Sequence, residues 1–587
     1  MQRSKSYLLA LLGTCLLINT ARSQGFLKAS GQKIVNEKGE NILLRGIGLG
    51  GWMLQEGYML GISAPGQQQH RIRQRIEALL SKEQTDEFYD VWLANHTRRI
   101  DIDSLKAWGF NSVRLPMHYQ LYTLPVDQEP VVGKQTWVEK GFAMTDSLLA
   151  WCKANRMYLI LDLHAAPGGQ GNDLNISDRD PSKPSLWQSE ANQQKMIAFW
   201  KKIAERYVNE PWIGGYDIIN EPNWGFQDTA ADRNGQKEKL NEPLKKLMVD
   251  ITAAIREVDT KHIIIIEGNG WGNNYNGILP AWDKNMVLSF HKYWNHNDQA
   301  SIQHIIDFRN KYDMPVWLGE TGENSNTWFT DAIRLFETNN IGWSWWPLKK
   351  LGSNNPLQIR TNHNYQHLLE YWNGKREKPP KESDVYSGLL ELATYTKFET
   401  NIIHRDVIDA MIRQPFSNQA KPFRKNNIQP GAVLQAVDYD LGKNGVAYSD
   451  NDTSNEGSAE RARNVGNRGR VYRNDGVDIR KDSARYESYY VSDIEKGEWL
   501  QYSINVLKKG QYTIQLLVAA DKEGGSLSVK LGQNFIANDV KVPNTEGLKK
   551  WQMVEIKNVN LPAGKQVLRV YIGEGGFNLK SIGFGLK

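Results

Sequence analysis

The chain has 587 residues, too many for one hydrophobic core, so its length predicts two or more domains. Apolar residues make up 40% of the chain and charged residues 24%, which excludes a disordered protein. The 72 Lys and Arg residues against 66 Asp and Glu give a net charge of +6. Over this length that charge gives no reason to expect nucleic acid or an anionic membrane as a partner.

The first 23 residues have the pattern of a secretory signal peptide. Two basic residues precede an apolar run at 7–18, and "ARS" at 21–23 fits cleavage before Gln24. Cys15 leaves a lipoprotein signal as the alternative. We therefore expect a secreted or periplasmic protein whose remaining thiol, Cys152, forms no internal disulfide. No later apolar run has the roughly 18 residues needed to span a bilayer.

Eight short apolar runs are typical of strands, and most are separated by segments with helical apolar spacing. Strands that alternate with helices predict a parallel sheet, and eight such units predict a closed (β/α)₈ TIM barrel in the α/β class. A last helix at 386–412 would close the barrel. The predicted strands are 42–50, 111–117, 158–165, 212–222, 262–268, 286–293, 315–322 and 342–348.

Most of these strands end in polar or aromatic side chains. In a TIM barrel the carboxyl ends of the strands form the active-site face, so these side chains should lie close together. Agreement among seven strand ends is hard to explain by packing alone. The side chains are Arg114, His164, Asn220 with Glu221, Glu267, His291 with Tyr293, Glu320, and Trp345 with Trp346.

Two carboxylates stand at opposite sides of the predicted barrel mouth. Glu221 ends the fourth strand and Glu320 ends the seventh. A glycosidase needs such a pair, one carboxyl group protonated to serve the leaving oxygen and the other ionised. Burial and a nearby cation can separate their pKa values, and Arg114 is the obvious cation. Glu267 and Glu323 are rival carboxylates.

Dispersed motifs in the segment 25–350 resemble glycoside hydrolase family 5, the cellulase and exo-β-1,3-glucanase family. "LLRGIGLGGWMLQEGY" is similar to the first-strand region of the exo-β-1,3-glucanase branch, and "SVRLPM", "LDLHAAPGGQ" and "NEP" follow in the family's order. The resemblance implies that Glu221 is the acid/base and Glu320 the nucleophile of a retaining double displacement. It also implies that Asn220 holds the sugar's 2-hydroxyl and that Arg114 orients Glu320.

The same resemblance implies the rest of the sugar subsite. His164, His291 and Tyr293 would complete it, with Tyr293 hydrogen-bonded to the nucleophile, and the eighth-strand Trp346 would form its floor. Trp345 is the alternative floor, one residue away and on the other face of the strand. The bond between Trp346 and Pro347 is expected to be cis. The aromatic residues past other strand ends could stack on sugars; they are Trp52, Trp224, Trp271, Tyr275 and Trp294.

The pattern changes after the predicted barrel domain at 24–415. A polar segment without periodicity, 416–431, is typical of a linker, and alternating runs at 432–587 predict an all-β sandwich, a jelly roll. "LQAVDYD", "GEWLQYSINV" and "GFNLKSIGF" there resemble carbohydrate-binding module family 6.

The resemblance implies a sugar cleft in this module around Asn578, and Tyr489 and Tyr490 are further candidates. Asp493 and Leu548 replace the family's platform aromatics. Gln435 and Val437 replace its opening acidic pair, so no structural calcium is expected.

The sequence thus predicts an exported retaining β-glucanase that acts on β-1,3- or β-1,4-linked glucan and carries an appended module. The alternatives are a carbohydrate-binding protein on an inactive barrel and the same chemistry on mannan, xyloglucan or β-1,6-glucan. We expect a monomer with a polysaccharide or oligosaccharide substrate and no cofactor, because the His residues lack ligand-like spacing. All catalytic candidates precede residue 350. The module is therefore expected to be dispensable for hydrolysis of short soluble substrates.

Overall fold

The computed structural model describes residues 25–453, 468–482, 488–521 and 524–586. The signal peptide predicted at 1–23 lies outside these ranges. Within them Cys152 is free and buried, and no helix has the length and apolar character to cross a membrane.

The predicted (β/α)₈ barrel is confirmed, and each of the eight predicted runs overlaps one of its parallel strands. A hairpin of β1 (Lys28–Ser30) and β2 (Lys33–Val35) precedes it. The last strand pairs with the first, and backbone bonds from Leu49 N–H to the Arg114 carbonyl and from Asn111 N–H to the Arg45 carbonyl close the ring. The strands are β3 (Arg45–Ile47), β4 (Ser112–His118), β5 (Tyr158–Ala165), β6 (Ile213–Asp217), β7 (Ile264–Glu267), β8 (Met286–Lys292), β9 (Val316–Gly322) and β10 (Gly342–Trp346).

Helices surround this barrel, and several begin at a side-chain cap that satisfies a free backbone N–H. Ser325, for example, accepts from the Trp328 N–H at the start of α9. The helices are α1 (Gln69–Glu77), α2 (Lys82–His96), α3 (Arg99–Trp108), α4 (Glu139–Asn155), α5 (Glu190–Tyr207), α6 (Glu242–Arg256), α7 (Asn269–Gly272), α8 (Gln299–Tyr312), α9 (Asn326–Thr338), α10 (His363–Trp372), α11 (Glu382–Tyr395) and α12 (Arg405–Ile412).

Four helices, α1, α2, α10 and α11, share a second small core beside the barrel. The chain segments that flank α10 and α11 form a small three-stranded sheet. Its strands are β11 (Lys349–Lys350), β12 (Leu357–Gln358) and β13 (Ile402–Ile403). The single helix predicted at 386–412 is wrong: β13 pairs with β12 and therefore divides that segment into α11 and α12.

The C-terminal part is an all-β sandwich with its own core, as predicted. Its long strand β20 alternates buried and less buried residues, which is the pattern of a strand with one face on a core. The segment predicted as a linker contains β14, which pairs with β19. The strands are β14 (Asn426–Ile428), β15 (Ala432–Gln435), β16 (Tyr448–Ser449), β17 (Ile479–Lys481), β18 (Tyr489–Val491), β19 (Trp499–Val506), β20 (Gly510–Ala520), β21 (Gly525–Leu531), β22 (Asn534–Val542), β23 (Gln552–Leu561), β24 (Gly564–Glu574) and β25 (Phe577–Leu586).

Candidate active site

Arg114, near the middle of β4, is the centre of a buried polar cluster at the carboxyl ends of the barrel strands. Its guanidinium is fully buried and donates to Asp217 at 2.9 Å, Glu320 at 2.5 Å and Glu267 at 3.2 Å. Asp162 lies 3.2 Å from it. One cation therefore serves four carboxyl groups from four strands. Burial raises the pKa values of Asp162 and Asp217 well above their usual range.

Glu320, in β9, is held at both carboxylate oxygens. Oε1 accepts from Arg114, and Oε2 accepts from the Tyr293 hydroxyl at 3.2 Å. The side chain lines the cavity described below. A cation on one oxygen and a phenol on the other fix this carboxylate in one orientation.

Glu221 lies four residues beyond the end of β6 and adopts the left-handed region, with φ of 43°. Such a conformation costs a non-glycine residue of order 1–3 kcal/mol and persists where the surroundings enforce it. Here the Glu221 N–H donates to Glu267 Oε2 at 2.7 Å, and the side-chain Oε1 lies 2.6 Å from His291 Nδ1. Burial raises the pKa of Glu221 to about 7, although the neighbouring His291 acts to lower it.

His291 lies between three carboxyl groups. Its Nε2 is 3.1 Å from Glu267 Oε1, and its Nδ1 is 3.7 Å from Glu320 Oε2 as well as bonded to Glu221. Burial acts to lower the pKa of His291, but the charges of Glu267, Glu320 and Glu221 outweigh it and raise that pKa well above its usual range. Burial likewise acts to raise the pKa of Glu267, but His291 and Arg114 outweigh it and lower that pKa.

A second histidine, His164, is placed by Asp162 and Asn220. Its Nδ1 lies 2.8 Å from Asp162 Oδ2, and its Nε2 lies 3.3 Å from Asn220 Nδ2. Burial lowers the pKa of His164 to about 3, so this imidazole is neutral at physiological pH. The Asn220 oxygen accepts from Arg114 at 2.9 Å, which fixes the direction of its amide.

Trp346 forms one wall of the site, and the alternative Trp345 does not. The Trp346 indole is stacked with the His164 ring at 5.1 Å and 6° and donates to the Tyr58 hydroxyl at 2.9 Å. Trp345 is fully buried and packs edge-on against Phe329. The expected cis bond between Trp346 and Pro347 is present.

The glycines of the first-strand motif leave room for this indole. A Cβ added at Gly48 or at Gly50 would lie 2.6 Å from the Trp346 ring, which is inside van der Waals contact. Gly48 and Gly50 of the "GIGLGG" pattern are therefore a packing requirement of the Trp346 wall.

A cavity of about 840 Å³ at the barrel mouth is lined by His164, Glu221, His291, Tyr293, Glu320 and Trp346. Arg114, Asn220 and Glu267 are fully buried and do not line it. One carboxylate oxygen each from Glu221 and Glu320 and one ring nitrogen of His291 all lie within 4.8 Å of one another. Three such groups could hold a metal ion in principle. In the structure His291 Nδ1 lies against Glu221, and Nε2 lies 3.1 Å from Glu267.

Only some of the aromatic residues expected from the sequence line the outer walls of the cavity. Trp271 and Trp294 line it, and Trp294 is 48% exposed. Trp52 does not: its side chain is 3% exposed in the barrel core, and its indole donates to the Leu93 carbonyl in α2. Tyr275 is also buried, bonded to the Ile266 carbonyl. Trp224 instead stacks under the guanidinium of Arg179.

The structure adds cavity residues that the sequence reasoning missed. Glu56 and Tyr58 line the cavity opposite Glu320, and both occur in the quoted "LQEGY" motif, which was the available signal. Burial, followed by the charge of Glu320, raises the pKa of Glu56 well above its usual range. Glu323, a rival catalytic carboxylate in the sequence, also lines the cavity and pairs with Lys350 at 2.5 Å.

The module residues expected to bind sugar do not form a single cleft. Asn578 and Tyr490 line one cavity, whereas Tyr489 lines another with Tyr472 and Trp551. Asn578 Nδ2 donates to the Leu548 carbonyl at 2.7 Å, so this donor is already engaged within the module.

Comparisons with known proteins agree with the two-part architecture. Residues 77–352 match Cellulase (glycosyl hydrolase family 5), and residues 470–585 match Carbohydrate binding module (family 6). A β-xylosidase of Phanerodontia chrysosporium is 26% identical over 393 residues, which are 60% of this chain and 77% of that protein. Endoglucanase C of Acetivibrio thermocellus is 24% identical over 313 residues, 43% of this chain and 83% of that protein.

Among solved structures, a β-glucanase of Saccharophagus degradans in complex with cellotetraose aligns with a TM-score of 0.38 and 17% identity. The alignment covers 63% of this chain and 95% of that one.

Proposed function

Because residues 77–352 belong to glycosyl hydrolase family 5 and residues 470–585 to carbohydrate binding module family 6, we propose that this O-glycosyl hydrolase is an exported, retaining β-glycosidase of β-glucan. The observation that carries the proposal is the close approach of the two carboxyl groups, with one oxygen of Glu221 within 4.8 Å of one oxygen of Glu320. Retaining glycosidases hold their carboxyl groups about 5–5.5 Å apart, and inverting ones about 6.5–9.5 Å.

The two glutamates differ in environment as the double displacement requires. Glu320, held by Arg114 and Tyr293, attacks the anomeric carbon and forms a glycosyl ester. Glu221, with its pKa raised to about 7, gives its proton to the departing glycosidic oxygen. Glu221 then removes a proton from water, the water attacks the same carbon, and the ester bond to Glu320 breaks.

The surrounding groups orient the sugar in this proposal. In this proposal Asn220, whose amide direction is fixed by the Arg114 bond to its oxygen, holds the 2-hydroxyl through Nδ2. Trp346, stacked with His164, provides a flat apolar surface for the sugar ring. His291 keeps a positive charge between Glu221 and Glu320, which limits the repulsion between two carboxyl groups so close together.

The β-glucan substrate class is supported by the first-strand motif and by the endoglucanase among the relatives. Because one relative is a β-xylosidase, β-xylosides are also included in the substrate test. The experiment is a panel of β-1,3-, β-1,4- and β-1,6-glucans, xyloglucan, mannan and xylan, with product sizing and Glu320→Gln as the inactive control. We expect turnover of a β-1,3- or β-1,4-glucan. Binding without turnover on every substrate would favour an inactive, carbohydrate-binding barrel instead.

A further inference from the structure

The module's cavity around Asn578 is lined by Arg480, Asp493 and Leu548, and several of its polar groups are engaged within the module. The Asn578 amide is bonded to the Leu548 carbonyl, and Arg480 forms an ion pair at 2.9 Å with Asp493, one of the positions where the related modules have a platform aromatic. The module also makes polar contacts with the barrel.

The contact with the barrel contains a buried network centred on Asn326, the first residue of α9. Its Nδ2 donates to Asp406 of α12 at 2.8 Å and to Asp475 of the module at 2.9 Å. The Asn474 N–H completes the network by donating to Asp406 at 2.7 Å. Asn326, Asp406 and Asp475 are each 1% exposed. Carboxyl groups so deeply buried need these partners, so the network favours one docked orientation of the module.

On the module side, Asp475 is anchored by groups that belong to the sandwich. Arg473 Nε donates to it at 2.8 Å and the Tyr439 hydroxyl at 3.1 Å. The Arg473 guanidinium in turn lies 3.7 Å from the centre of the Tyr439 ring. The acceptor that receives Asn326 is therefore part of the module's own packed structure.

The same module segment holds the loop that follows Glu320. Asn474 Nδ2 donates to the Asn324 carbonyl at 2.8 Å and to Asn326 Oδ1 at 3.2 Å. The Ser325 hydroxyl donates to the Thr453 carbonyl of the module. Between Glu320 and these contacts lies Glu323, whose side chain lines the catalytic cavity.

A third contact reaches the loop that follows Trp346. The Ser353 hydroxyl donates to the Arg470 carbonyl at 3.2 Å. Lys350, in the short strand β11 within this segment, forms the ion pair with Glu323 and lies 5.4 Å from the centre of the Tyr58 ring. The two loops are therefore joined to each other at the cavity wall and to the module on their outer side.

We propose that residues 470–475 of the module act as a positioning element for the hydrolase, holding the loops after Glu320 and Trp346 in the geometry that substrate binding requires. The proposal rests on the proposed function for its catalytic consequence. The module is then part of the catalytic unit rather than a tethered accessory, which revises the expectation that it is dispensable for short substrates.

The test compares three full-length variants by hydrogen exchange and by kinetics on a soluble aryl β-glycoside. Asn474→Ala removes two contacts to the first loop, and Ser353→Ala removes one from the second. Asn505→Ala is the matched control, because its amide donates to Asn427 on the exposed surface of the module. We expect faster exchange at 321–326 in Asn474→Ala and at 347–353 in Ser353→Ala. In Asn474→Ala we expect a raised KM and a kcat/KM lower by about tenfold or more.

The KM value distinguishes misplaced loops from a smaller folded fraction of the enzyme. Unfolding of a fraction of the enzyme lowers the apparent kcat and leaves KM unchanged. Wild-type exchange in both loops, or faster exchange with wild-type KM and kcat, would overturn the proposal. If the wild-type enzyme hydrolyses none of the glycosides, the proposed function fails. The exchange comparison then still decides whether the module holds the two loops.

Discussion

The peptide N–H of Glu221 donates to the side chain of Glu267 at 2.7 Å, and this bond enforces the left-handed turn that aims Glu221 into the cavity. Glu267 is fully buried, and its other oxygen accepts from Arg114. The carboxylate at the end of β7 therefore positions the proposed acid/base instead of competing with it.

Substitution of each of these three carboxylates should lower kcat to a different extent. Glu221→Gln should lower kcat by about 10²–10⁴-fold, the usual contribution of a general acid, and Glu320→Gln by at least as much because it removes the nucleophile. Glu267→Gln is the matched control, because the new amide oxygen can still accept the Glu221 N–H. This variant should show a smaller decrease in kcat. Activity within tenfold of wild type for either Glu221→Gln or Glu320→Gln would remove that residue from catalysis.

Azide should distinguish the roles of Glu221 and Glu320. A small anion can replace a missing nucleophile, so azide should restore turnover to Glu320→Ala and give a glycosyl azide of inverted configuration. Mass spectrometry and NMR of the product provide the measurement. Absence of any glycosyl azide from this variant would contradict the nucleophile assignment.

The pH dependence follows from the pKa of Glu221, which burial raises to about 7. The acid must be protonated for the first step, so kcat/KM should fall as pH rises through that value. His291 acts to lower the pKa of Glu221. His291→Gln should therefore move the basic limb of the profile to higher pH, besides lowering the rate. A shift of the basic limb to lower pH would contradict the assigned interaction.

Arg114→Met should destabilise the fold by about 3–5 kcal/mol, because it leaves buried carboxylates without their cation. Burial raises the pKa values of Asp162 and Asp217 already, and loss of Arg114 removes the charge that opposes this rise. These groups are protonated more readily in the folded variant, so the loss should be larger at pH 8 than at pH 5. Denaturant unfolding at both pH values measures it. An equal loss at both would contradict this account.

The two adjacent tryptophans offer a paired comparison. Trp346→Ala should mainly lower kcat/KM, because the indole faces the cavity and is stacked with His164. Trp345→Ala should mainly lower the free energy of unfolding, by about 3–5 kcal/mol, because that side chain is fully buried. The reverse pattern in kinetics and unfolding would show that the eighth-strand register of the site is misassigned.

The active-site face of the barrel could be predicted from sequence because the carboxyl ends of parallel strands meet at one end of a (β/α)₈ barrel. Arg114, His164, Asn220 and Glu221 converge for that reason. The position of Trp52 could not be predicted. Trp52 follows Gly51, which has φ of 84°, and the indole contacts α2. That helix packs in a second core with distant segments of the chain. The contact between the module and the barrel could not be predicted either, because Asn326, Asp406 and Asp475 are polar residues of types that usually lie on exposed surfaces.

The most direct test of the central claim, double displacement by Glu320 and Glu221, is the anomeric configuration of the first-formed product. Proton NMR of a fresh digest of the best β-linked substrate, recorded before mutarotation, resolves the two anomers. The account predicts that the β-anomer appears first and the α-anomer follows by mutarotation. Initial formation of the α-anomer would show inversion and would contradict the nucleophilic role of Glu320.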